Sequence, residues 1–346
     1  MIRYEKLNNA YTDRIDCPGT EKHYRLTRSV SAIDDADDRE SDRAPQWCVM
    51  IEKFLPLLGP IQRLPVHEDD VWVITFPKCG TTWTQEMVWL LNNGLDYERA
   101  AKLTLEERFP FLELSGALSL MDGDSVGRVQ ELPRPRHIKS HLPVMLLPEA
   151  IHTVRPKIIY VSRNPKDAAT SFYHHYRNIV GYDGPREHFY DAFLNDSLIY
   201  APFGGHVRAY WAWSRMPGAE NILFLTYEQM KRDLHGVIGR VSRFLGKQYG
   251  ASEVDELAKH LSVESMRNNK SCNMDDLVEW ARTTTHSKER KKLAINGFKY
   301  KLFPHARFIR SGTVGSYRKD MDEEYIRRFE AYEKATTEGT DFDFYY

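Results

Sequence analysis

The stretch VWVITFPKCGTTW, residues 71–83, limits the possible fold more than any other part of the chain. It begins as an apolar, β-branched run and breaks at Pro77. Lys78, Gly80, Thr81 and Thr82 follow in quick succession, and then an apolar helical pattern begins. A strand, a tight Gly/Thr turn and a helix N-terminus make an anion cradle, because the turn and first-turn N–H groups have no helical acceptor. Lys78 adds a full charge, and Thr81 and Thr82 add hydroxyl donors. The common nucleotide loop GxxxxGK[ST] places its lysine after the second glycine, whereas Lys78 precedes the single Gly80. GxGxxG is absent as well, so kinase, GTPase and dinucleotide readings fit poorly. Taken alone, the stretch also suits a strand–turn–helix whose lysine binds nothing. Trp83 has two readings, a core aromatic or a flat surface for an adenine ring.

Three further apolar runs recur: HIKSHL (137–142), KIIYVS (157–162) and NILFLTY (221–227). Runs rich in β-branched residues and bounded by proline or charge read as buried strands. Helical patterns lie between most of them. WTQEMVWLLNNG puts Met87, Leu90 and Leu91 on one face and closes at Gly94. Asn164 and Pro165 open PKDAATSFYHHYRN as N-cap and first helical residue. EQMKRDLHGVIGRVSRFLG follows the fourth run. This alternation predicts an α/β fold with a mainly parallel central sheet flanked by helices, and ligands beyond the strand C-terminal ends.

RPRHIKSHLP is flanked by prolines and therefore extended. His137, Lys139 and His141 share one face of such a strand. A histidine that takes a proton beside a lysine that neutralises an oxyanion is a catalytic pair, although a lone strand histidine is more often structural. His137 and His141 have the spacing of two metal-binding histidines, but the glutamate and the helix that go with it are missing. Arg163 at a strand end and Ser171 in the next helix would suit a second phosphate. His174 and His175 read as structural. FIRSGTVGSYRK offers Arg310, Gly312, Gly315, Arg318 and Lys319, either a ligand-facing loop or a plain surface one.

The formal net charge of -1 gives no general pull toward nucleic acid, and no apolar run reaches membrane-spanning length. MIRYEKLNNAYTDR has no secretory apolar core. Cys17, Cys48, Cys79 and Cys272 are unpaired in spacing, which suits a reducing, cytoplasmic setting. Residues 1–45, with the acidic SAIDDADDRESDR, are expected to be an irregular, mobile extension, and 46–346 a single domain.

TFPKCGTTW, RPRHIKSHLP, RNPKDAATSFYHH and FIRSGTVG, in that order, resemble the cytosolic sulfotransferase family from about Trp47 to about Lys319. The resemblance implies 3′-phosphoadenosine 5′-phosphosulfate (PAPS) as donor, adenosine 3′,5′-bisphosphate (PAP) as product, and no metal. It implies that Lys78, Cys79, Gly80, Thr81, Thr82 and Trp83 hold the 5′-phosphosulfate, with the fold's cradle acting as a P-loop-like element. Trp83 and Tyr227 would line the adenine. Arg163, Ser171, Arg310, Ser311 and Gly312 would grip the 3′-phosphate, with Phe308 and Ile309 beside them. His141 would be the general base, and Lys78 and Lys139 would stabilise charge in flight. Leu261, Ser262 and Met266 match the adenine-side segment only loosely. FPFLEL, with Phe109 and Phe111, and the aromatics Phe172 and Tyr173 would line a pocket for a small hydroxylated acceptor such as a phenol, steroid or retinoid alcohol. Cys79 and Ser311 depart from the family's usual Ser and Lys, and Ser311 removes a cation from the 3′-phosphate site. Residues 272–305 make a longer segment than the family has, and the family's dimer segment is not found, so the usual dimer is not implied. A sulfation-driven dehydratase and a non-catalytic nucleotide-binding protein remain as alternative readings.

Overall fold

The four apolar runs are strands of one parallel sheet. In the computed structural model, which describes residues 2–15, 22–28, 47–117, 123–180, 182, 184–276, 279 and 307–345, they are β4 (Val71–Thr75), β5 (His137–Ser140), β6 (Lys157–Ser162) and β7 (Ile222–Thr226). Their order is β5-β4-β6-β7, with Val73 opposite both Lys139 and Ile159, and Tyr160 opposite Phe224. The acidic stretch 31–43 and most of the longer segment 272–305 lie outside the described residues.

Alternation along the strands feeds two separate cores. Trp72, Ile74, Ile138, Ile158 and Tyr160 point into one. Val71, Val73, Ile159, Val161 and Leu225 point into the other. Helix α1 (Thr81–Asn92) and helix α5 (Leu234–Phe244) cover the second core through Met87, Leu90, Leu91, Val237 and Val241. Helices α2 (Pro165–His175) and α3 (Phe203–Ser214) cover the first through Ala168, Phe172, Phe203, Val207 and Tyr210. Helix α6 (Glu323–Thr337) joins that side through Phe329.

The helix ends follow the chemistry of their residues. Asn164 caps α2, its side chain accepting from the Lys166 N–H at 3.0 Å, with Pro165 in the first turn. Gly94, at φ 66°, ends α1, and the Leu95 N–H reaches back to the Leu90 carbonyl at 2.9 Å. The pattern after β7 is not one helix. Thr226 caps a first piece, α4 (Tyr227–Arg232), and Asp233, with non-helical φ/ψ of -143° and 77°, caps α5.

Within residues 1–45, expected to be irregular, two strands are described. β1 (Ile2–Lys6) and β2 (His23–Arg28) pair antiparallel with each other, and β2 pairs with β3 (Trp47–Ile51). The sheet was hidden because most of its first two strands face solvent; Leu26 is fully buried and Ile2 packs against the first core. β3 carries this sheet into the body of the fold, where the Tyr200 N–H donates to the Val49 carbonyl at 2.7 Å and the Val49 N–H to the Ala201 carbonyl at 2.9 Å.

Candidate active site

The loop after β4 turns sharply at two residues. Lys78 sits at φ 69° and Gly80 at φ 103°. A Cβ on Gly80 would lie 2.9 Å from the Tyr227 ring, so both conformation and space require glycine here. The loop then enters α1, whose first-turn N–H groups have no helical acceptor. The Thr81 hydroxyl is engaged with the Thr75 hydroxyl at 2.7 Å, so it serves the loop's own geometry. Cys79 is fully buried, and burial pushes its thiol well up; it acts as an apolar filler.

Arg163, one residue beyond β6, ties the loop to the rest of the site. Its Nη1 donates to the Lys78 carbonyl at 3.0 Å and its Nη2 to the Thr313 carbonyl at 3.4 Å, and the guanidinium lies 4.2 Å from the Tyr227 ring centre. Its buried Nε has no partner among the described residues. The Trp83 ring meets Tyr227 edge-on at 5.5 Å, and its buried Nε1 is also unpartnered among them. These orphaned donors beside a cation cluster fit an anionic ligand with a flat ring.

Lys78, Ser171, His174, His175, Asn178, Arg307, Phe308 and Arg310 line a shallow cleft. The cleft brings Lys78 of the first loop beside Ser171 and Arg310, residues that the resemblance assigned to opposite ends of the donor. It also adds Arg307 and both helix histidines, which the sequence reading left out or treated as structural. His174 bonds Asp320 at 3.2 Å, and the His175 ring lies edge-on to Phe308 at 5.8 Å. The far wall is held from α2: Asp167 accepts from the Gly315 N–H, the Ser316 hydroxyl and the Tyr317 N–H at 2.6, 2.9 and 3.1 Å. Arg267 donates to the Ile309 carbonyl at 3.0 Å and to the Arg310 carbonyl. A Cβ on Gly312, at φ 63°, would lie 2.4 Å from Val263, so the segment Leu261–Met266 abuts the closing loop. Met266 and Leu261 are buried in the second core, and Ser262 spends its hydroxyl capping the helix Val263–Asn268.

Burial, with Lys139, Arg163 and Arg310 close by, brings Lys78 down to about 7 from 10.5. Between those two values the unfolded chain binds more protons than the folded one, so the ligand-free protein gains stability as pH rises through that window and is least stable below it. Lys78→Met removes this penalty. At about pH 6.5 its Tm is expected to exceed the wild type's by roughly 2 °C, a gap that closes as pH climbs through the window. Calorimetry that finds the variant less stable, or a gap that ignores pH, would contradict this origin.

His141 is the base candidate, and its surroundings set its tautomer. Nδ1 lies 2.8 Å from the Thr75 carbonyl, which can only accept, so Nδ1 carries the proton and Nε2 keeps its lone pair. Burial, and next the charge of Lys139, hold its pKa well below the ordinary value, so the imidazole is neutral at physiological pH. Lys139 stands over the Phe111 ring at 4.1 Å, and Phe111 meets His141 edge-on at 5.1 Å. The segment Pro110–Leu112 runs alongside β5, with the Lys139 N–H on the Pro110 carbonyl and the Leu112 N–H on the Lys139 carbonyl. That pairing delivers Glu113, which sequence reasoning missed. Its buried carboxylate accepts from the His141 N–H at 2.6 Å and the Ser140 hydroxyl at 2.9 Å. Burial raises Glu113 to about 7.

Other expected neighbours are elsewhere. His137 bonds Asn92 at 3.0 Å, and the Phe109 ring packs against it in the second core. Phe109 follows a helical turn that ends at Arg108, and its ring lies in the second core. Phe172 packs edge-on against Phe76 and Phe189, and Tyr173 against Phe189 and Tyr182; both are buried in the first core with Phe111.

Comparison with known proteins follows the same lines. A family model described as a sulfotransferase domain matches residues 68–341. Luciferin sulfotransferase of Photinus pyralis is 37% identical over 305 residues, 84% of this chain and 77% of that protein. Sulfotransferase 4A1 of Homo sapiens is 37% identical over 202 residues, 58% of this chain and 68% of that protein. Among solved structures, retinol dehydratase in complex with retinol and PAP superposes with a TM-score of 0.80 at 24% identity, covering 99% of this chain and 98% of that one. Mouse sulfotransferase SULT7A1 complexed with PAP gives 0.63 at 22%, covering 85% and 93%.

Proposed function

The chain belongs to the sulfotransferase family, and from that premise we propose that it moves the sulfuryl group of PAPS to the hydroxyl of a small hydrophobic acceptor. The observation that carries this reading is the pairing of a neutral, tautomer-fixed His141 with a converging set of cations, Lys78, Lys139, Arg163 and Arg310. A base beside an anion site is what in-line transfer to an alcohol needs, because positioning and charge stabilisation supply most of the catalysis.

PAPS when bound supplies an activated sulfuryl group and a doubly phosphorylated adenosine leaving group. The protein's residues do the rest. The loop N–H groups of Gly80 to Trp83 and the Lys78 ammonium hold the 5′ end. Arg163, Ser171, Arg310 and the Ser311–Gly312 backbone hold the 3′-phosphate, with Phe308 and Ile309 beside them. Trp83 and Tyr227 face the adenine, with Leu261, Ser262 and Met266 behind. His141 Nε2 takes the acceptor hydroxyl's proton. Lys139 neutralises the sulfuryl oxygens, and Lys78 the oxygen left behind. Phe111, with Phe172 and Tyr173 behind it, forms the apolar wall of the acceptor pocket.

The test is transfer of labelled sulfate from PAPS to a panel of phenols, steroids and retinoids, with product masses measured. The expected product is a stable sulfate ester formed one for one with PAP. A product lighter than its alcohol by water would mean that elimination follows transfer. PAP binding with no transfer to any alcohol would make the chain a binding protein, and magnesium-dependent ATP turnover without use of PAPS would overturn the assignment.

A further inference from the structure

His141 is the first residue beyond the ladder, because β5 ends at Ser140, opposite Ile74 of β4. The sheet therefore does not hold its peptide, and side chains from other elements must. Glu113 takes the N–H. The carbonyl is taken by His206 of α3, whose Nε2 lies 3.0 Å from it. A carbonyl can only accept, so His206 Nε2 carries the proton and Nδ1 is an acceptor. The Tyr160 hydroxyl of β6, 2.8 Å from Nδ1, is then the donor. Both ring nitrogens are thus spent. His206 is 1% exposed, so it has no route to solvent as a proton carrier. Burial brings it down to about 4, which keeps the ring neutral and this pattern fixed at physiological pH. Tyr160 is itself stacked on Tyr210 at 4.2 Å, and the Tyr210 hydroxyl donates to the Leu142 carbonyl at 2.8 Å, one residue past His141. The turn that carries His141 is therefore pinned on consecutive carbonyls by α3.

We propose that His206, oriented by Tyr160, is a positioning residue for sulfuryl transfer: it fixes the His141 peptide and so the direction of Nε2. It touches neither donor nor acceptor. Its effect is geometric, and displacement of a reacting group by about 1 Å can cost roughly 10²-fold in rate. The inference rests on the reading of His141 as the base.

The test uses the full chain with His206→Gln, His206→Leu and Tyr160→Phe, measuring kcat, acceptor KM, PAP affinity by calorimetry and Tm. A glutamine amide can donate to the carbonyl and accept from Tyr160; leucine can do neither. His206→Leu is expected to lower kcat by roughly 30-fold, with PAP affinity and acceptor KM within about twofold, while His206→Gln recovers to within about fivefold of wild type. Tyr160→Phe should fall between them. Should His206→Leu not fold, His206→Asn, whose shorter amide cannot reach the carbonyl, replaces it with the same expected result. Equal kcat for the glutamine and leucine variants, or a loss confined to PAP affinity, would overturn the proposal. Full activity in His141→Ala would instead remove its premise, whereas an inactive His141→Ala beside wild-type rates in every His206 variant would sink this inference alone.

Discussion

His141→Ala is expected to lower kcat for sulfuryl transfer by roughly 10³-fold, within the range that a positioned general base supplies. The affinity for PAP should stay within a few-fold of wild type, because the imidazole faces the acceptor side through Phe111 and spends its Nδ1 on the Thr75 carbonyl. His141→Asn should fare little better: its amide can replace the Nδ1–H bond but cannot take a proton near neutral pH. The fixed tautomer also sets the pH profile. With the pKa held well below its ordinary value by burial and Lys139, the acid limb of kcat should lie below the range of a free histidine, and activity should stay flat through neutrality. Transfer at the wild-type rate in His141→Ala would remove His141 as the base.

Arg163→Ala should have the largest effect on donor affinity. Arg163 is 6% exposed, braces the Lys78 and Thr313 carbonyls and keeps a buried Nε unpaired among the described residues. It therefore joins the Lys78–Trp83 loop to the segment carrying Thr313 and, on the proposed reading, would offer charge to PAP between them. Loss of two or so charge-assisted hydrogen bonds corresponds to weakening of PAP binding by roughly 10²–10³-fold. Arg163→Lys should recover little, because one ammonium cannot brace both carbonyls and also fork onto a phosphate. Titration calorimetry that finds the alanine variant within threefold of wild type would place the 3′-phosphate elsewhere.

What could be read from the sequence was what is local or strongly periodic. β4, β6 and β7 are buried on both faces, so they appear as unbroken apolar runs. The Lys78–Trp83 loop and the Asn164–Pro165 helix start are contained within a few residues each. β1 and β2 were lost because pairing, and not apolar content, defines them, and most of their side chains are in solvent. Glu113, Tyr160 and His206 were lost for a different reason. Each acts on its partner across 28 to 65 residues of chain, and each looks like an ordinary polar residue in its own segment.

The join between Val49 and Tyr200 reaches further than its two hydrogen bonds. Tyr200 is held at φ 70° and rests its ring edge-on against His141 at 5.6 Å, so β3 stands a single side chain from the imidazole. Strain applied to the amino-terminal hairpin has a short mechanical path to the reaction centre. An affinity handle fused there, or a shortened start, is expected to change kcat, which a side-by-side assay of the altered and unaltered chains would check.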